Sequence, residues 1–309
     1  MKKFLSVIAA SIVVAVSAPS LLAQAGSFVD VNPDSRSMGM ANSSIAVDPS
    51  AFAMWNNTSA LVLSPNKFSA GASYTLWQPG ASNNNVIAVA ANGRLGKFVS
   101  LSAGVKYFSY SPFELMDDKG VSLGQYTPKE MTAGIGIGVR ILPILSLSAN
   151  VNYVLSDLGA PKKGNAVTTD YGATLDLKVV RIGISANNIG SKLNYGGEKS
   201  YALPANMKVG VGTVQNFAKN QISVNLQGGM TFENKGIFAS LGAEYMYNNL
   251  VAVRAGYHYG DKTKVTPSYA SVGLGVRFIG IDINAFYLIA TGSSSPMKNT
   301  FGASLSYAF

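Results

Sequence analysis

The residues that could do chemistry are few. The 309-residue chain has no cysteine and a single histidine, His258. A nucleophile–base hydrolase would have to be built on His258, with Asp261 close by in sequence and one of many serines as nucleophile. Thiol nucleophiles, disulfides, thiolate zinc and iron–sulfur centres are excluded, as are multi-histidine metal sites. A lone histidine on a polar strand face is ordinarily a hydrogen-bonded filler. There is no calcium loop, phosphate-cradling glycine motif or dinucleotide fingerprint. The chain therefore reads as a non-enzyme with no cofactor and no metal site. The lysines and arginines outnumber the acids by 24 to 15 but form no long run, so nucleic acid is not an expected partner.

The arginines are more informative. Five of them, Arg94, Arg140, Arg181, Arg254 and Arg277, fall on the polar face of alternating segments, and Asp176, Glu244 and Asp282 share that face. A guanidinium's fixed donor fork suits paired burial. Two readings stay open. One is an ion-pair belt that fills and stiffens an interior. The other is a dock for the N-terminal segment or an anionic ligand, in which case charge reversal at Arg140 and Arg277 should loosen that segment.

The elements that position these residues have a period of two. In the stretch 269–278, Tyr269, Ser271, Gly273, Gly275 and Arg277 alternate with Ala270, Val272, Leu274, Val276 and Phe278, which makes one strand face wholly apolar. Fourteen segments read this way: 67–77, 85–95, 98–109, 128–141, 144–155, 166–177, 179–189, 203–214, 220–232, 236–247, 250–260, 267–278, 280–289 and 299–309. Most have the length of tilted strands crossing a bilayer, and an even number suits a closed outer-membrane barrel. Charged residues are only 13% of the chain, about half the usual share of soluble domains. Connections alternate long and short, which puts the long loops outside and the tight turns in the periplasm; the short joint 233–235 breaks the rule once. Tyr74, Tyr107, Tyr153, Tyr171, Tyr257 and Tyr287 take the lipid register, as in an interfacial girdle. The last strand ends on Phe309, a signal of the kind read by the barrel-assembly machinery.

Residues 1–25 read as a cleaved signal peptide, with Lys2 and Lys3, an apolar run and Ala23-Gln24-Ala25 before the cut. Residues 26–66 read as a plug in the lumen, with short capped turns at 34–41 and 48–53, the second with Pro49 at its first helical position. Residues 67–309 are the barrel. Inward residues are mainly Ser, Asn, Gly, Thr, Lys and Arg, with Phe108, Phe238 and Phe286 as apolar exceptions near the outer end. Among the long loops, Phe113, Leu115 and Met116 beside Asp117 and Asp118 mark a candidate contact surface.

The stretch Pro33-Asp34-Ser35-Arg36-Ser37-Met38-Gly39-Met40-Ala41, with Asp48-Pro49-Ser50-Ala51 and Trp55-Asn56, resembles the N-terminal signature of FadL-like outer-membrane barrels. More closely, the chain is similar to the PorV/PorQ family of the type IX secretion system, through Ser73-Tyr74-Thr75-Leu76-Trp77, Tyr107-Phe108-Ser109-Tyr110, the loop 117–128 and Tyr153-Val154-Leu155-Ser156-Asp157-Leu158. The resemblance implies an outer-membrane barrel working beside the secretion translocon, in contact with lipid. Such a barrel receives the C-terminal signal domains of cargo and passes them to the surface attachment machinery. The alternative reading is a FadL-like channel for hydrophobic small molecules.

Overall fold

The computed structural model describes residues 26–116, 120–159, 162–261, 264–292 and 295–309. The expected signal peptide, residues 1–25, lies outside them. Fourteen antiparallel strands close into one barrel: Phe68–Trp77, Asn84–Leu95, Val99–Ser109, Lys129–Leu142, Leu145–Asp157, Gly164–Asp176, Arg181–Gly190, Asn206–Phe217, Asn220–Thr231, Ile237–Tyr247, Val251–Gly260, Tyr269–Phe278, Ile281–Ala290 and Phe301–Ala308. They are called first to fourteenth below. Each pairs with its neighbours in sequence, and the first pairs with the fourteenth, with Ala72 opposite Leu305. The terminal residue completes the seam: Lys67 N and Phe68 N both donate to the Phe309 carbonyl, and the Phe68 and Phe309 rings lie 5.6 Å apart.

Side-chain alternation builds the two faces. Ile135, Leu274 and Phe278 are each about two-thirds exposed on the outer wall, while Thr132, Ser271 and Asn284 are buried inside. All six girdle tyrosines lie exposed on the outer wall. The short turns have suitable backbone chemistry. Asn248 and Asn249 both take positive φ (52° and 51°), the requirement of a two-residue hairpin turn, and Ile279-Gly280 does the same. At the opposite rim two long loops carry structure of their own, a hairpin pairing Phe113–Met116 with Ser122–Tyr126 and a smaller one pairing Leu193–Asn194 with Ser200–Tyr201.

Residues 26–66 run down the lumen from the long-loop end to the short-turn end. They form four short turns: Ser27–Asp30, Ser35–Gly39, Ala53–Trp55 and Thr58–Leu63. Only Ser35–Gly39 is α-helical, and Asp34 caps it by accepting from Arg36 N at 3.1 Å. The turn expected to start at Pro49 begins instead at Ala53, without a side-chain cap. Asp48 is diverted to Arg181, and Ser50 Oγ takes the turn amide of Phe52. The turn Thr58–Leu63, capped by Asn57, has no counterpart in the sequence reading. Phe28, Met38, Met40 and Phe52 are fully buried, each a gain of about 1.5–3 kcal/mol over exposure.

Candidate functional site

The interior is an interface between an irregular plug and a regular wall. A chain of short turns leaves many backbone groups without intrahelical partners, and in a sealed lumen each must be satisfied. The wall supplies the partners. Gln227 Oε1 accepts from Ser44 N (3.1 Å) and Ile45 N (3.2 Å), while its Nε2 donates to the Asn42 carbonyl (2.8 Å). Asn225 Oδ1 accepts from Ala46 N. Ser271 Oγ donates to Gly39 O, Asn150 Nδ2 to Met54 O, Asn92 Nδ2 to Ala51 O and Ser146 Oγ to Ser59 O, all within 2.7–3.0 Å. The polar wall is thus a set of backbone partners for the plug.

Glycines on the same face make room for it. A Cβ at Gly242 would lie 2.4 Å from the Met40 carbonyl oxygen, and one at Gly273 would lie 2.9 Å from Gly39 Cα. On the fourth strand, Gly134 and Gly136 leave space for the amide side chains of Asn152 and Asn150.

The charged residues do not form one belt. Glu244 is the centre of a fully buried triad. Arg36, on the plug helix, donates to it twice (Nε to Oε2 2.9 Å, Nη2 to Oε1 2.7 Å), and Arg254 Nε donates at 2.5 Å. Arg181 reaches Asp48 of the plug at 3.2 Å and Asp176 of the wall at 3.8 Å. Arg277 pairs with Asp282 at 2.6 Å and with Asn249, near the short-turn rim and away from the plug. Among the described residues Arg94 and Arg140 make no ion pair. Among the described residues the plug's ion pairs are therefore with Glu244 and Arg181, reached through Arg36 and Asp48, and not with Arg140 or Arg277. Arg36, the sixth arginine, was the missing partner; its place just after the Asp34 cap was the signal that could have found it.

The long-loop half of the lumen is packed with apolar side chains. Phe28 meets Phe108 edge-on at 6.2 Å, and Val86, Phe286, Leu288, Leu193, Leu203 and Met297 belong to the same buried cluster. Leu193 and Leu203 come from the seventh-to-eighth loop and Met297 from the last loop, so folded-in loops roof the lumen. Under this roof Lys106 is fully buried, and its Nζ donates to the carbonyls of Val29 (2.8 Å) and Val31 (2.7 Å). Glu130 accepts from Tyr110 Oη and from Ser156 Oγ (2.5 Å), and Ser156 Oγ lies 2.7 Å from Tyr195 Oη of the roofing loop. Burial holds the Tyr195 phenol up at about 12. Two cavities beside the plug enclose about 10 and 30 Å³, room for a water rather than a substrate.

His258 is buried in the same half. Its Nδ1 is 2.8 Å from Ser240 Oγ, and its ring stacks on Tyr269 (4.9 Å) and Phe238 (6.1 Å). Phe238 therefore packs on the histidine and does not line a cavity of its own.

Outside the lumen, Phe113 and Met116 are exposed on the larger loop hairpin, joined by Val121 and Leu123, which the sequence reading did not select. Leu115 is half-buried; Asp117 and Asp118 lie outside the described residues. The base of this hairpin is fixed. Phe113 meets Tyr126 at 5.9 Å, and Tyr126 Oη donates to Asp157, which also pairs with Lys163 at 3.2 Å. Burial and then Asp157 push the Tyr126 phenol up to about 12, so it remains a donor.

The sequence profile of the family described as type IX secretion system protein PorV matches residues 17–230. No curated protein matches the chain. Among solved structures, the toluene transporter TbuX of Ralstonia pickettii is 14% identical with a TM-score of 0.62, over 88% of this chain and 96% of that one. The toluene transporter TodX of Pseudomonas putida gives the same four figures. A FadL homologue of Pseudomonas aeruginosa is 10% identical with a TM-score of 0.58, over 89% and 98%. These structural likenesses share the fold, that of a FadL-like barrel of the bacterial outer membrane.

Proposed function

The chain belongs to the PorV family of type IX secretion system proteins, and from that we infer that it is a protein-handling barrel, not a conduit. It binds secreted cargo through the C-terminal signal domain, or the translocon beside it, and hands the cargo to the surface attachment machinery. One observation supports this reading above the others: the lumen is filled by the chain's own plug and roof, while an apolar hairpin stands at the outer rim with its base tied to the barrel through Tyr126 and Asp157. An exposed ribbon carrying Phe113, Met116, Val121 and Leu123 is an uncommon surface for a protein without a partner. Deleting residues 111–124 should leave the barrel folded, with unchanged heat-modifiable mobility, and abolish cargo export or translocon co-purification. Normal export by that variant would refute the reading.

The second reading, a FadL-like channel for hydrophobic small molecules, draws on the fold shared with the toluene transporters and on the apolar cluster around Phe28. It requires that cluster to be vacated, since its side chains are buried against one another and the two cavities beside the plug hold only about 10 and 30 Å³. Uptake of toluene or a fatty acid into liposomes bearing the protein discriminates between the two.

A further inference from the structure

We propose that the outer rim between the fourth and seventh strands is a binding site for the phosphate groups of an outer-leaflet glycolipid. Three neighbouring strands place charge in a row there. Lys129 stands opposite Asp157 in the ladder, and Lys163, just before the sixth strand, pairs with Asp157 from the other side. Lys129 shares the outward face with Met131 and Ile135, since Glu130 and Thr132 are buried inside. Tyr153, exposed on the outer wall of the fifth strand, lies one step nearer the bilayer centre than Leu155 and two steps nearer than Asp157. An aromatic residue on the lipid face marks the interface, and the charged groups of the lipid sit just beyond it.

The next loop extends the patch. The stem of Lys162 lies across Gly196, where a Cβ would be 2.6 Å from Lys162 Cδ. This seats Lys162 against the smaller hairpin, whose flanks carry Lys192 and Lys199. All five lysines are exposed. Among the described residues the acids of this sector are Asp157, already engaged by Lys163 and Tyr126, Glu198, and Glu114 on the larger hairpin. Elsewhere on this rim Lys235, Lys264 and Lys298 stand on three separate loops. Five exposed lysines are thus gathered in one sector of the rim, with Lys129 on the outer wall above a lipid-facing tyrosine. Ammonium groups on flexible stems bind phosphate as point charges and adapt to its position. A lipid is the fitting source of that phosphate because its acyl chains run down the apolar wall below Lys129.

The test uses the full chain in detergent micelles, titrated with diphosphorylated lipid A, with the same lipid after phosphate removal, and with inorganic phosphate. The quadruple variant K129Q/K163Q/K192Q/K199Q should bind lipid A at least tenfold more weakly, and K235Q/K264Q/K298Q should bind as the unaltered protein does. Binding to the unaltered protein should weaken steeply with salt, a readout that needs no variant to fold. Equal loss in both variants, equal binding of the phosphate-free lipid, salt-independent binding, or saturation by inorganic phosphate alone would each overturn the proposal.

Discussion

Replacing Glu244 with glutamine should unseat the plug while sparing the barrel. The carboxylate holds two buried guanidinium groups, Arg36 of the plug at 2.7 and 2.9 Å and Arg254 of the wall at 2.5 Å. Glutamine nearly keeps the shape but removes the charge that pairs both arginines. Breaking a buried pair by removing one partner costs about 3–5 kcal/mol, because the other charge stays buried without compensation. Arg36 can escape that cost only by leaving with its helix. At roughly 1.4 kcal/mol per decade, the open fraction of the plug should rise by about two to four orders of magnitude.

Hydrogen exchange at Ser44, Ile45 and Ala46 reads this directly, since their amides are held only while the plug is seated on Gln227 and Asn225. Arg36→Gln should accelerate the same amides less, because Glu244 keeps Arg254. Asp282→Asn is the control. Arg277 there is one-third exposed and retains Asn249, so about 0–1 kcal/mol is at stake and the plug amides should not respond. Unchanged exchange at 44–46 in Glu244→Gln, or an equal response in Asp282→Asn, would refute the reasoning.

Gly242→Val places a Cβ 2.4 Å from the Met40 carbonyl oxygen, so protease should cut within 26–66 while the barrel's heat-modifiable mobility is retained. Lys106→Met leaves the Val29 and Val31 carbonyls buried without donors, a loss of about 1–3 kcal/mol; Trp55, whose ring lies 6.0 Å from Lys106 Nζ, should show red-shifted emission as water enters. Tyr126→Phe removes the bond to Asp157, and exchange should quicken over Ser122–Tyr126 while the barrel strands remain protected.

The barrel was legible because its rule is local. Period two, strand length and loop parity each act on a few residues at a time, and all fourteen strands could be read from them. The plug's seating was less so, because it depends on residues about two hundred apart in sequence. Arg36 and Glu244, or Ser43 and Asn225, carry no sign of each other in a single chain. The inward Ser and Asn side chains could be read as a polar wall, but not their partners. They bind plug backbone, and composition does not distinguish a side chain facing water from one facing a carbonyl. The second turn was misplaced because Asp48 is an equally good helix cap and salt-bridge partner, and Arg181 decides between these from across the lumen.

That same ambiguity bears on function. A polar wall first argued against a hydrophobic channel because it promised no apolar cavity. With the plug in place, wall polarity says nothing about cargo, since it is matched to the plug's backbone. The discriminating feature is how the two halves are filled. In the short-turn half the plug is held by charge and by directional hydrogen bonds, which fix one register. In the long-loop half apolar contact around Phe28 is joined by the Lys106 bonds to Val29 and Val31 and by Asp30, which accepts from Asn188 and Asn206 Nδ2. Apolar contact is non-directional and can be replaced by another apolar group of similar volume. A channel would open at the Phe28 end first, whereas a protein-binding barrel needs no opening and works through its rim. Exchange at Val29 and Val31, compared with and without bound cargo domain, therefore separates the two mechanisms even if both variants of the rim hairpin fold normally.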